Sequence, residues 1–145
     1  MAKIKTVKVT AKGLDGFLIE TKAGKHISYV DQPEAGGGTD KGPSPLAYVF
    51  IALGGCLGTI AKIVAKQQQI NLRGFEATIE GDLNLDILMG KDTSERAGFE
   101  GIKVHINIDA DLSKEEKEKF IEEVDRRCPV SDNLMNITPV ELILE

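Results

Sequence analysis

The sequence predicts an α+β fold with the element order βββ-α-ββ-α-β, and three observations lead there. The first thirty residues alternate polar and apolar in short runs. A single long helical period follows from Ser44 to about Gln68. Alternation then returns before a second helix opens at Ser113. The chain has 145 residues, of which 41% are hydrophobic, enough for one domain over 1–145 with a core that needs no staples.

Ile4, Val7 and Val9 begin the first β-like stretch. Leu14 to Thr21 and Lys25 to Val30 form two more, joined by the turn Lys22-Ala23-Gly24-Lys25. Three such strands in succession predict an antiparallel meander. Residues 33–43, with Gly36, Gly37 and Gly38, are a loop by composition. Ser44 and Pro45 then open a helix. Serine is a favoured N-cap, and proline suits the first helical position because its missing N–H is no loss there. Leu46, Val49, Phe50, Leu53, Leu57, Ile60 and Val64 recur at helical spacing. Ala47, Ile51, Ala52, Ala61, Ile63 and Ala65 make the flanks apolar too. A helix hydrophobic nearly all round is expected to be central and buried on most sides.

After Arg73 the period becomes two. Phe75, Ala77, Ile79, Leu83, Leu85 and Ile87 predict one long strand or two. Gly90 to Gly98 is a polar loop, and Phe99, Ile102, Val104, Ile106 and Ile108 predict a further strand. Ser113-Lys114-Glu115-Glu116 is a capping box, and Phe120, Ile121 and Val124 give its helix a narrow buried stripe. Pro129 ends that helix, because the residue before proline avoids helical dihedrals. Thr138 to Leu144 is expected to close the chain as a strand.

The net charge of −5, with basic residues scattered among acids, argues against nucleic acid as a main partner. No unbroken run of about 18 apolar residues is present, so no membrane-crossing helix is expected. The N-terminus lacks the apolar core of a secretory signal, which points to the cytoplasm. There a static disulfide is disfavoured, and a cysteine pair is more often catalytic or metal-binding. Cys56, Cys128, His26 and His105 fall at no metal-ligand spacing, so zinc is a poor fit. The loop at Gly36–Gly38 with Lys41 lacks the Gly-Lys-Ser/Thr ending of a phosphate cradle. Both histidines lie in strand patterns, where packing or surface roles are commoner than catalysis.

Cys56 and Cys128 are the two cysteines. Cys56 lies well inside the long helix, near Val49, Leu53 and Ile60 on the helical wheel. It is too far from the N-terminus for the helix dipole to lower its pKa much. A buried small hydrophobe is the plain reading. Gly54 and Gly55 beside it each disfavour a helix by roughly 1 kcal/mol relative to alanine, so something packs against or enters this turn. Cys128 follows Arg126 and Arg127, whose charge is expected to lower its pKa, at an exposed helix end with Ser131, Asp132 and Asn133 as turn formers. If the fold brings the two thiols together, one can attack and the other resolve.

Gly42-Pro43-Ser44-Pro45-Leu46, Ala52-Leu53-Gly54-Gly55-Cys56 and Cys128-Pro129-Val130-Ser131, at these spacings, resemble the OsmC/Ohr family of osmotically inducible and organic hydroperoxide resistance proteins. The element order matches as well, over nearly the whole chain. The resemblance implies an intertwined homodimer, with two antiparallel sheets wrapped around long central helices and each site at the subunit interface. It implies that Cys56 is the peroxidatic thiol, attacking a hydroperoxide, preferably organic, and that Cys128 is the resolving thiol that closes a disulfide. A small dithiol or thiol protein would reopen it, with no metal, flavin or other cofactor. These steps follow the ladder from thiolate through sulfenic acid to disulfide.

The chain departs from the peroxidases of that family at two points. Leu46 stands where they carry a glutamate, and no arginine precedes Arg73. Lys41, His26 or an arginine beside Cys128 are the candidates for a replacement charge. The departures motivate an alternative: a redox-responsive or small-ligand-binding dimer with weak peroxidase activity. Thiol–disulfide exchange is a weaker reading, because the chain has no CxxC.

Overall fold

The computed structural model describes residues 1–92 and 94–145. Thr93, inside the loop expected over Gly90–Gly98, lies outside the described residues. The chain forms two compact units, Met1–Val49 and Phe50–Glu145.

The first unit holds the meander. Strands β1 (Thr10–Gly13), β2 (Ile19–Ala23) and β3 (His26–Val30) pair antiparallel in the order β1-β2-β3. Register runs from Thr10 opposite Lys22 to Gly13 opposite Ile19, and from Ile19 opposite Val30 to Ala23 opposite His26. Leu14 to Leu18, expected to begin the second strand, forms the connecting turn instead, closed by the Leu14 N–H on the Leu18 carbonyl at 2.8 Å. Pairing starts only at Thr10, so Ile4, Val7 and Val9 extend from the sheet without a strand partner among the described residues, all three exposed.

The glycine-rich loop is organised around one carboxylate. Asp31 is 1% exposed. Its Oδ1 accepts from the Gln32 N–H at 2.8 Å, and its Oδ2 accepts from the Thr39 hydroxyl at 2.6 Å and the Lys41 N–H at 3.1 Å. These bonds hold the carboxyl well below the usual carboxylate range, at about 2, with the Thr39 hydroxyl the largest cause. Gly38 must be glycine here, because a Cβ would run into the Gln32 carbonyl. Helix α1 (Pro45–Gln67) follows, and its Ser44 hydroxyl accepts from the Ala47 N–H at 3.2 Å, as a cap does.

In the second unit, β4 (Gly74–Asp82) and β5 (Gly101–Asp109) form an antiparallel ribbon. Phe75 faces Ile108, Ala77 faces Ile106 and Ile79 faces Val104, so one face of the ribbon is apolar throughout. Helix α3 (Lys114–Arg127) opens with both halves of the capping box formed by Ser113 and Glu116. The core includes Leu53, Leu57, Ala61, Val64 and Ala65 of α1, Ile108 of β5 and Ala110 just beyond it, Phe120 and Val124 of α3, and Cys128 at the end of α3.

Four further expectations need correction. The alternation at Leu83, Leu85 and Ile87 does not continue as strand. Asn84 caps a short helix, α2 (Leu85–Leu88), by accepting from the Asp86 N–H. Residues past Cys128 form a helix, α4 (Pro129–Met135), rather than a turn, because proline suits a first helical position as well as it ends a preceding helix. Thr138 to Leu144 is not a strand: a strand exists only through pairing, no edge among the described residues takes it, and Val140, Leu142 and Leu144 are exposed. Helix α1 is buried along one row only. Ile51 and Ile63 are exposed, because the second unit covers a single side. At 23 residues and a mean hydropathy of 1.8, α1 is also long and apolar enough to cross a membrane by length and composition, a test the core helix of a globular domain passes as well.

Candidate active site

Cys56 is placed by the apolar row of α1. Leu53 and Leu57 are buried in the core, and Cys56, between them in sequence and half-buried, packs against it. Cys128 is placed by the junction of α3 and α4. Pro129 forces it into an extended conformation (φ −83°, ψ 109°), and it serves as the last residue of one helix end and the first cap of the next. Its N–H returns to the Asp125 carbonyl at 3.1 Å. Its side chain turns inward, 1% exposed, among the residues that also bury Val124.

The two sulfurs, 72 positions apart in sequence, meet at 2.9 Å as free thiols. Cys128 Sγ also accepts from the Ser131 N–H at 3.4 Å. A thiol that accepts there has its own S–H left to donate to Cys56. Burial pushes the Cys128 thiol above its ordinary pKa, the contact with Cys56 pushes it the same way, and the Ser131 N–H opposes both.

Cys128 is thus the reverse of its sequence expectation, buried and raised in pKa rather than exposed and lowered. The neighbouring arginines explain it. Arg126 is bound bidentate to Glu123, at 3.0 and 2.8 Å, and Arg127 reaches Gln67 Oε1 at 2.8 Å and Glu123 at 3.7 Å. Their charge is spent on those partners. Among the described residues no basic side chain hydrogen-bonds either sulfur. His105 sits exposed on β5 against Glu80 at 3.2 Å, and His26 and Lys41 are exposed in the first unit.

The glycines beside Cys56 have unequal surroundings. A Cβ on Gly54 would lie 3.1 Å from Ile79 Cδ1, so β4 packs close against that turn, whereas one on Gly55 would meet nothing within 4 Å. A cavity of about 480 Å³ opens on Gly54, Gly55, Gly58 and Lys62, beside Arg73 and Phe75, and neither cysteine lines it. Arg73 there is committed to Asp109 and Asp111.

Two functional candidates escape the sequence reading. Ser131 donates from its hydroxyl to Asp125 Oδ1 and from its backbone N–H to Cys128 Sγ. Asp125 on a charged helix face and Ser131 in a run of turn formers carry no sequence signal beyond their closeness to Cys128.

The family model described as OsmC-like protein matches residues 38–143. No curated protein matches the chain by sequence. Among solved structures, an OsmC-like protein from Mycoplasma pneumoniae superposes with a TM-score of 0.80 at 22% identity, covering 92% of this chain and 89% of that one. An organic hydroperoxide resistance protein from Legionella pneumophila gives 0.68 at 24% identity, covering 92% and 91%. The organic hydroperoxide resistance protein OhrB of Bacillus subtilis gives 0.59 at 23% identity, covering 92% and 93%. At these identities the likeness is one of fold.

Proposed function

The chain belongs to the OsmC-like protein family, and on that premise we propose that it is a cytosolic, thiol-dependent reductase of organic hydroperoxides, with Cys56 as peroxidatic and Cys128 as resolving thiol. The observation that carries the reading is the 2.9 Å approach of the two sulfurs, one half-buried and one sealed. The hydroperoxide resistance proteins of Legionella pneumophila and Bacillus subtilis share its fold.

Cys56 attacks as the thiolate. Its sulfur takes the terminal oxygen of the hydroperoxide, the O–O bond breaks, and the alkoxide leaves as alcohol after taking a proton. Cys56 is then a sulfenic acid. Cys128, which rests protonated because burial raises its pKa and aims its S–H at Cys56, gives up that proton as it attacks. A sulfur–sulfur bond forms, the S–O bond breaks, and hydroxide leaves with the Cys128 proton as water. Two equivalents of external thiol, from a small dithiol or a thiol protein, restore both cysteines. An apolar substrate suits the surroundings of Cys56, where Leu53, Leu57 and Ile60 are neighbours in the helix.

The partner is a second copy of this chain. Support comes from the apolar residues the chain leaves uncovered: Ile4 and Val7 before the meander, Ile51 on α1, and Val140, Leu142 and Leu144 at the end. Dimeric mass by light scattering at micromolar concentration is the expected result, and a monomer contradicts it.

The enzyme is tested with cumene hydroperoxide and dithiothreitol. Cys56→Ser abolishes thiol-dependent peroxide loss, and Cys128→Ser accumulates Cys56 sulfenic acid and turns over poorly. A double serine variant as active as the parent ends the reading. Two observations favour the alternative, a slow redox-responsive or ligand-binding dimer: Leu46 stands where the activating glutamate is expected, and among the described residues no cation bonds to either sulfur. Oxidation of Cys56 by stoichiometric peroxide decides between them, seconds for the enzyme and hours for the responder.

A further inference from the structure

Three residues at the α3–α4 junction close a ring of hydrogen bonds around the resolving sulfur. The Asp125 carbonyl accepts from the Cys128 N–H at 3.1 Å. Cys128 Sγ accepts from the Ser131 N–H at 3.4 Å. Ser131 Oγ donates to Asp125 Oδ1, which returns the ring to its start. The bond from Ser131 to Asp125 is the one in the ring made between two side chains, and it ties the first turn of α4 to the last turn of α3 across Pro129, where the helical ladder is broken.

We propose that Ser131, fastened by Asp125, is a positioning residue that aims Cys128 Sγ at Cys56 and holds its charge while the disulfide closes and reopens. The proposal deepens the thiol-pair reading above and rests on it. The physical need is specific. Cys128 is buried, which disfavours its thiolate, and the thiolate is the form that attacks and leaves in thiol–disulfide exchange. An N–H fixed on the sulfur is the donor that offsets this burial, and no basic side chain does so among the described residues. Without the Asp125 fastening, residue 131 is free to rotate and the donor drifts from a bond already long at 3.4 Å.

The same geometry orders the reopening. Cys56 is half-buried and Cys128 sealed, so an external thiol reaches the Cys56 sulfur, a mixed disulfide forms there, and Cys128 departs as the thiolate that Ser131 receives.

The test needs no peroxide. The reduced full-length protein is treated with Ellman's reagent. Attack by Cys56 releases one thionitrobenzoate and leaves the other as a mixed disulfide. Cys128 then attacks the Cys56 sulfur, the Cys56–thionitrobenzoate bond breaks, and the second thionitrobenzoate is released. In Ser131→Ala the first release keeps the parent rate and the second slows about tenfold, the scale of one hydrogen bond to a charged group. Ser131→Thr keeps the hydroxyl and restores the second release. Asp125→Ala reproduces the defect, while Asp125→Asn, which keeps an acceptor, does not; these two serve if Ser131→Ala misfolds by circular dichroism. A second release at parent rate in both alanine variants overturns the proposal, as does a threonine variant as slow as alanine, or a parent that never gives the second release. A parent that closes rapidly with the reagent yet leaves cumene hydroperoxide untouched removes the peroxidase reading and leaves the role of Ser131 standing.

Discussion

Cys128, rather than Cys56, is the sealed member of the sulfur pair: it is 1% exposed, while Cys56, 2.9 Å away, keeps part of its surface in solvent. The arrangement follows from where each residue sits. Cys56 lies on the border of the buried row of α1, and Cys128 at a helix junction whose extended backbone turns the side chain into the core. Access therefore favours Cys56 as first nucleophile, and burial disfavours the thiolate of Cys128.

Alkylation reads this directly. Under native reducing conditions at pH 7.5, iodoacetamide modifies Cys56 first, and Cys128 by at least about tenfold more slowly, because only an accessible thiolate reacts. Peptide mass spectrometry after timed quenching gives both rates. Faster modification of Cys128 contradicts the assignment of roles.

Burial of the Cys128 thiol also sets an alkaline limit on stability. Its folded pKa lies above the unfolded value, near 8.5 for a free cysteine. Between those two values the folded state holds the extra proton, so stability falls as pH rises. The contribution is complete below about pH 8.5 and is lost as pH climbs through the folded pKa. Urea unfolding of the reduced protein from pH 7.5 to 10 shows a decline that is shallower in Cys128→Ser. Parallel declines in parent and variant exclude the effect.

The Asp31 carboxylate acts in the opposite direction. Held at about 2, below an unfolded value near 3.9, it stabilises its loop above pH 4, and the contribution disappears as pH falls from about 4 through 2. Asp31→Ala strands the Thr39 hydroxyl and three backbone donors, at Gln32, Thr39 and Lys41. Protease cleavage within residues 33–43 at pH 7 rises by about an order of magnitude, as local opening becomes easier. Asp31→Asn, which keeps an acceptor, gives an intermediate rate. Equal cleavage in all three proteins rules out a bracing role.

Much of this was legible because local signals and tertiary demands agree. Ser44-Pro45 fixed where α1 starts, the Ser113–Glu116 box fixed α3, and the alternation from Ile102 to Ile108 became β5. The signals failed where pairing or long-range burial decides. Val140, Leu142 and Leu144 alternate like a strand, but period two does not supply a partner. Arg126 and Arg127 beside Cys128 suggested an activated thiol, yet side chains at successive helix positions point apart, and Glu123 and Gln67 claim both. Meeting of the two sulfurs followed from the resemblance alone; spacing carried no such information. Asp31 and Ser131 were invisible because their partners are set by loop closure and helix packing.

The paired glycines before Cys56 give the last prediction. Both carry the same intrinsic penalty in α1, about 1 kcal/mol against alanine, but their neighbours differ. A methyl on Gly55 meets nothing within 4 Å in the protomer, so Gly55→Ala raises the unfolding free energy of the protomer by about 1 kcal/mol. A methyl on Gly54 presses on Ile79 Cδ1 at 3.1 Å. The end of that side chain can move, at a cost of about 1 kcal/mol that cancels the helical gain, leaving Gly54→Ala near the parent. Denaturant unfolding at low protein concentration, where the protomer is the folded species, ranks Gly55→Ala above Gly54→Ala. If Gly54→Ala ranks equal or higher, β4 does not press on that turn of α1, and the close contact ceases to explain why a glycine stands at position 54.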